Sequence, residues 1–169
     1  MSEAALPQRG SFLGVDAAHA ARLVALLLPI GLLGGALGSQ YLGGLHPCEM
    51  CLWQRWPHAA AIVLAALAFT APAGSGRSRS LTLLAALAIA VSGAIGVYHA
   101  GVEAHVFEGF TTCTANGART LDEILRAPIV RCDQIQFSFL GISMAGWNAI
   151  LSLGGAALIL LLSLKGRRA

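Results

Sequence analysis

The sequence predicts an all-α membrane protein: a bundle of four transmembrane helices with a short amphipathic helix in the second outer loop. Three observations lead there. Hydrophobic residues make up 56% of the 169 and charged residues only 11%, too little polar surface for a water-soluble domain of this length. Mean hydropathy is +0.71. The apolar residues also gather into four segments close to the roughly 20 residues of helix that cross a hydrocarbon core of about 30 Å. The formal charge of +3 is small and dispersed, which points away from nucleic acid and leaves the lipid bilayer as the evident surroundings.

The expected spans lie at about 23–42, 52–71, 81–102 and 145–164, in a single membrane domain covering 1–169. The first is Gly- and Leu-rich, and no compact apolar region with a small-residue cleavage site precedes it, so it reads as a retained span. The second has a short fully apolar run, 59–69, and relies on Trp53 and Trp56 as interfacial anchors. Pro57 removes one backbone donor there and is expected to bend the first turns. A short loop at about 43–51, a polar turn at 72–80 and a long loop at about 103–144 connect the four.

Cation placement sets the orientation. Arg9, Arg22, Arg77, Arg79, Lys165, Arg167 and Arg168 fall in three segments that four spans place on one side. By the positive-inside rule that side is cytoplasmic, with both termini. Arg55, Arg119, Arg126 and Arg131 on the other side are diluted by Glu49, Glu103, Glu108, Asp122, Glu123 and Asp133. All four cysteines, Cys48, Cys51, Cys113 and Cys132, then face the outer compartment, where disulfides form and persist. Between the last two, "TLDE" at 120–123 fits a capping box, and Leu121, Ile124 and Leu125 share a face up to Pro128. A surface-lying amphipathic helix and a helix packed on the spans are both open readings.

The stretch "LHPCEMCLWQRWPH" at 45–58 carries the most chemistry. Zinc is disfavoured because Cys113 and Cys132 are nineteen apart and no closely spaced His pair substitutes, so no metal is expected. Inert core thiols are disfavoured because the cysteines fall outside the apolar runs. Two structural disulfides would explain pairing and compartment, but not why Cys48 and Cys51 stand at a helix start. There, unpaired N–H groups and the positive end of the helix dipole favour thiolate. Arg55, four residues after Cys51, shares its face and is expected to approach the sulfur. The ordinary alternative for Arg55 is a cation reaching lipid phosphate.

These residues resemble the DsbB family of bacterial inner-membrane proteins. The likeness rests on "PCEMCLWQRWPH", on "YHAGVE" at 98–103, on "CDQIQFSFLGISMAGWNA" at 132–149 and on the order of the cysteine pairs, and covers nearly the whole chain. It implies a quinone-dependent dithiol oxidase that reoxidises a periplasmic DsbA-like thioredoxin-fold protein and passes electrons to the membrane quinone pool, ubiquinone or menaquinone. It implies that Cys48 and Cys51 are the quinone-proximal pair, with Cys51 in charge-transfer contact and Arg55 supporting quinone binding. Cys113 and Cys132 resemble the shuttle pair, Cys113 joining the partner and Cys132 exchanging with Cys48. The nineteen-residue spacing of that pair suggests a compact long loop.

His99 is expected near the outer end of the third span, within reach of a quinone head group or satisfied by a backbone carbonyl. Glu103 either orients His99 or is solvated. Met144 and Trp147 are expected beside the ring, interfacial anchoring being the competing reading for Trp147. His46 and His58 are expected at the interface without chemistry. The rival functions are a non-catalytic membrane protein braced by two disulfides, and a vitamin K epoxide reductase-like protein. The second is disfavoured because its loop pair precedes its Cys-x-x-Cys.

Overall fold

The computed structural model describes residues 11–12, 15–109, 114–115 and 129–165. Four long helices carry the architecture among them: α1 (Ala17–Tyr41), α2 (Glu49–Ala68), α3 (Gly76–Glu103) and α4 (Met144–Lys165). Of these, α1, α3 and α4 are long and apolar enough to cross a membrane. Short antiparallel pairs punctuate them: β1 (Ser11–Phe12) with β2 (Val15–Asp16), β3 (Thr114–Ala115) with β4 (Ile129–Val130), and β5 (Ser138–Phe139) with β6 (Ile142–Ser143). The expected amphipathic helix at 120–128 and Cys113 lie outside the described residues.

Helix boundaries follow from caps. Asp16 accepts the Ala18 N–H and starts α1 six residues before the apolar run expected at 23. Arg22, counted above as a terminal cation, is therefore inside the helix and buried. Its guanidinium donates to the carbonyls of Ala68 and Ala71 at the end of α2 and stacks over Phe69, 4.7 Å from the ring centroid. A cation there complements the orphan carbonyls and the negative end of that helix. Ser75 caps α3 by accepting the Ser78 N–H. Pro57 lies inside α2, past its first turn, and the helix continues through it without the N–H that would bond the Trp53 carbonyl.

The helices pack in sequence order around the bundle: α2 and α4 both lie along α3, and α1 lies against α2 and α4. The interior is built of small residues, Ala21, Ala25, Ala61, Ala65, Ala85 and Ala86, closed by Ile89, Ile159 and Leu162. In lipid no hydrophobic force separates helix from solvent, so close approach through small side chains does the packing. The large apolar side chains accordingly point outwards, with Leu27, Val63, Leu87 and Leu161 all about 60% exposed. Gly96 shows how close α3 and α4 come. A Cβ there would stand 3.0 Å from the Ala145 oxygen and the Ala149 nitrogen.

At one end of the bundle a second, smaller core forms from Cys48, Met50, Val102, Val130 and Cys132. The chain leaving α3 folds back over this end. Phe107 stacks on Tyr98 with centroids 5.5 Å apart, and the Tyr98 hydroxyl donates to the Glu108 carbonyl. Entry into α4 comes from the β5–β6 hairpin, whose two turn residues, Leu140 and Gly141, have φ of 52° and 77°. That is the left-handed geometry a two-residue hairpin demands, and it is natural to Gly141. The Trp147 indole donates to the Phe139 carbonyl at 3.0 Å and fastens the hairpin to the helix.

Candidate redox site

Cys48 is the N-cap of α2 and Cys51 lies in its first turn. The Cys48 sulfur accepts the Cys51 backbone N–H at 3.3 Å and lies 3.2 Å from the Cys51 sulfur, with both cysteines in the thiol form. The pair is asymmetric. Cys48 is almost fully buried, and Cys51 is half-buried. The hydrogen bond from Cys48 holds the Cys51 thiol below its ordinary range, against burial, and the Arg55 charge lowers it further. The same bond and burial push Cys48 the other way, so Cys51 is the more acidic thiol of the pair and Cys48 the less acidic.

Arg55 does not take the position expected for it. It shares the face of Cys51, but its guanidinium is claimed by α1, donating to Gln40 Oε1 and, at 3.2 Å, to the Ala36 carbonyl. Those carbonyl and amide acceptors fix the fork, and the cation acts on Cys51 through space. Its Nε is buried without a hydrogen-bond partner.

His99 is buried and comes to the cysteines from α3. Its Nε2 stands 3.5 Å from the Cys48 sulfur and 3.8 Å from Glu103 Oε1, and its Nδ1 accepts from Gln54 Nε2 at 2.9 Å. The pairing with a backbone carbonyl is not the whole of its environment, because a sulfur and a carboxylate share the ring. The ligand atoms of Cys48, Cys51 and His99 lie within 4.8 Å of one another, a juxtaposition that spacing along the chain does not reveal.

Six of the expected site residues line one cavity of about 310 Å³: Cys48, Cys51, Arg55, His99, Met144 and Trp147. Its apolar walls come from Gly31, Leu32, Gly35 and Ala36 of α1 and from Phe139. Cys132 sits behind it, buried beside Cys48 in the smaller core. Its side chain hydrogen-bonds with Cys48 and its backbone with His99. The expectation that the cysteines lie apart from apolar packing is therefore corrected for Cys48 and Cys132: they form part of a core at the helix mouth.

The sequence reading missed a buried polar network next to this cavity. His58, expected at the interface, is only 3% exposed. Its Nε2 meets Asn148 Oδ1 at 2.9 Å and Ser92 Oγ at 3.0 Å. Asn148 Nδ2 donates across the bundle to Gln54 Oε1 at 2.7 Å and to the Ser92 carbonyl at 3.1 Å, and Ser152 donates to Asn148 Oδ1. The signal available was polar residues within apolar helices, which lipid tolerates only when they face the bundle and find partners. His46 is exposed, as expected for an interfacial residue.

The family model "Disulfide bond formation protein DsbB" matches residues 18–162. The chain is 32% identical to disulfide bond formation protein B of Azoarcus sp. (strain BH72), covering 81% of this chain and 86% of that one. It is 32% identical to disulfide bond formation protein B 1 of Pseudomonas putida, covering 84% and 88%. To disulfide bond formation protein B of Xanthomonas oryzae pv. oryzae (strain MAFF 311018) it is 29% identical, over 86% and 90%. No solved structure matches it. A thiol pair at the start of α2 and a family match over residues 18–162 lead to one conclusion: the chain belongs to the DsbB family of membrane disulfide bond formation proteins.

Proposed function

We propose that this protein is an inner-membrane disulfide-generating oxidoreductase that reoxidises a periplasmic DsbA-like thioredoxin-fold protein and delivers the electrons to a membrane quinone, ubiquinone or menaquinone. The observation that carries the reading is Cys51, the more acidic thiol of the pair, on the wall of a cavity with apolar sides and a cationic residue, Arg55, in its lining. In this reading α2 supplies a fourth span from about residue 52 onward, both termini are cytoplasmic and the four cysteines are periplasmic.

The residues present fit a quinone head group. The apolar α1 wall suits the ring face, Met144 and Trp147 border it, His99 lies in the lining, and the unpartnered Arg55 Nε offers an N–H donor for a carbonyl oxygen. When bound, a quinone supplies the terminal acceptor for two electrons and two protons. Everything else is thiol chemistry of the chain. A partner thiolate attacks Cys113 of a Cys113–Cys132 disulfide, and the electron pair leaves on Cys132. The Cys132 thiolate attacks Cys48 of a Cys48–Cys51 disulfide, forming Cys48–Cys132 and releasing Cys51 as thiolate. That last exchange is favoured by the burial of Cys132 beside Cys48 and by a leaving sulfur whose anion is already stabilised.

Two inert bracing disulfides would leave the low thiol of Cys51 and the cavity without purpose. The test is to trap the mixed disulfide. The oxidised protein is mixed with a reduced thioredoxin-fold partner whose second active-site cysteine is replaced, so the partner cannot resolve the bond it forms to Cys113, and a covalent adduct should accumulate and disappear on reduction. No adduct, or an equal adduct through Cys113→Ala, contradicts the assignment of Cys113 and its sidedness.

A further inference from the structure

His99 faces the sulfur pair with a proton in a fixed place, and the fixing can be traced to two backbone carbonyls. The Ser92 carbonyl only accepts, so the Asn148 amide nitrogen must be the end that meets it, at 3.1 Å. That nitrogen also donates to Gln54 Oε1 at 2.7 Å. The Met50 carbonyl likewise only accepts, and takes Gln54 Nε2 at 3.1 Å. Both ends of the Gln54 amide are thus assigned by their partners, and Gln54 Nε2 donates its other hydrogen to His99 Nδ1 at 2.9 Å. In the neutral ring, an Nδ1 that accepts leaves the proton on Nε2. That atom stands 3.5 Å from the Cys48 sulfur.

We infer that Gln54 and Asn148 are positioning residues that hold His99 in its Nε2–H tautomer, so that His99 donates a hydrogen bond to Cys48 when that sulfur becomes anionic. The role rests on the exchange sequence proposed above and extends it to a step at the buried cysteine. Once Cys48 is joined to Cys132, the partner's second thiolate takes the partner sulfur off Cys113 as the partner's own disulfide, and the pair closes again when the freed Cys113 thiolate attacks Cys132. The Cys113–Cys132 bond forms, the Cys48–Cys132 bond breaks, and its electron pair leaves on Cys48. The departing Cys48 sulfur carries no proton to give to Cys51, and it is left with two N–H donors: the Cys51 backbone at 3.3 Å and His99 Nε2. A buried anion with two donors is a better leaving group than one with a single donor. The charged and titratable groups facing this sulfur pair are Cys51 and Arg55 from α2, His99 and Glu103 from α3, and Cys132 from the segment before the hairpin. Glu103 Oε1, 3.8 Å from the same Nε2, is the group from which or to which the proton can be exchanged.

The experiment uses the full chain in detergent micelles as the reduced Cys51→Ala protein, where Cys48 has no thiolate neighbour on its own helix. Imidazole ¹⁵N spectra of selectively labelled histidine should show His99 with Nε2 protonated and Nδ1 bare. Gln54→Met should convert this to a mixture of tautomers. In the same background, the pH midpoint for alkylation of Cys48 should rise by about one unit in His99→Phe, the scale of one lost donor to an anion and a tenfold slower reaction at a fixed lower pH. An Nδ1–H ring in the Cys51→Ala protein overturns the inference, and so does an unmoved alkylation midpoint. The tautomer measurement keeps the native histidine, so it decides even if His99→Phe does not fold. Neither readout requires a quinone or a partner protein, so failure here is separable from failure of the proposed exchange sequence.

Discussion

The Cys51 backbone N–H donates to the Cys48 sulfur at 3.3 Å, so the first cysteine of the pair caps the helix that carries the second. The cap ties the redox pair to the folded state. It also divides the labour, since the capping sulfur is buried while the other is half-buried at a cavity.

The asymmetry is measurable in the reduced protein. Cys51 is held low by the Cys48 hydrogen bond and by Arg55, and Cys48 is pushed up by the same bond and by burial. As pH rises, Cys51 should therefore become alkylated first, with a midpoint below the roughly 8.5 of a free thiol, while Cys48 stays unreactive until well above it. Mapping of alkylated cysteines by mass spectrometry across pH reads both. Equal midpoints would remove the division of roles.

Arg55 joins α1 to α2 and also acts on the thiolate, and two substitutions separate the effects. Arg55→Ala should raise the apparent KM for quinone roughly tenfold or more, on the scale of a lost charged hydrogen bond, and move the Cys51 midpoint upward. Arg55→Lys keeps the charge but has no planar fork to engage Gln40 and Ala36 together. It should restore the alkylation midpoint and leave KM raised. A KM unchanged in Arg55→Ala would leave Arg55 as a brace between α1 and α2 with no part in quinone binding.

Removing Asn148 breaks the buried network at its centre. Asn148→Ala leaves Gln54 Oε1 and the Ser152 hydroxyl without these partners and should cost about 1–3 kcal/mol of stability. Denaturation in micelles, compared with the exposed His46→Ala as control, checks it. Equal stability of the two variants would mean that water or local rearrangement replaces the lost bonds.

Close helix approach supplies a purely structural test. Gly96→Val pushes side-chain atoms against the α4 backbone and should destabilise the bundle by about 1–3 kcal/mol. Gly154→Ala, with nothing within 4 Å of its Cβ, should leave stability unchanged or slightly raised. Thermal unfolding of the pair reads the contrast.

Local signals explain what was legible. Apolar runs located three spans directly, because composition alone satisfies a lipid environment, and the Cys-x-x-Cys before an apolar run located the capped helix start. The lower boundary of α1 was hidden because Arg22 reads as a terminal charge, whereas its partners, Ala68 and Ala71, lie more than forty residues away. His58 was misread for the same reason: its partner Asn148 is ninety residues away, and no spacing rule joins them. The redirection of Arg55 to α1 depended on the bundle geometry that sets Gln40 beside it. Residues that act within one helix were readable; residues whose partners arrive from another helix needed the fold.

The central claim is that electrons from a partner dithiol reach a quinone through Cys51. The most direct measurement is quinone reduction, followed optically, by the purified full chain supplied with a reduced DsbA-like protein and a soluble ubiquinone or menaquinone analogue. Sustained turnover is expected, and its loss in Cys51→Ala and in Cys113→Ala. A folded protein that reduces neither quinone, or a Cys51→Ala protein that turns over at the parental rate, would contradict the account.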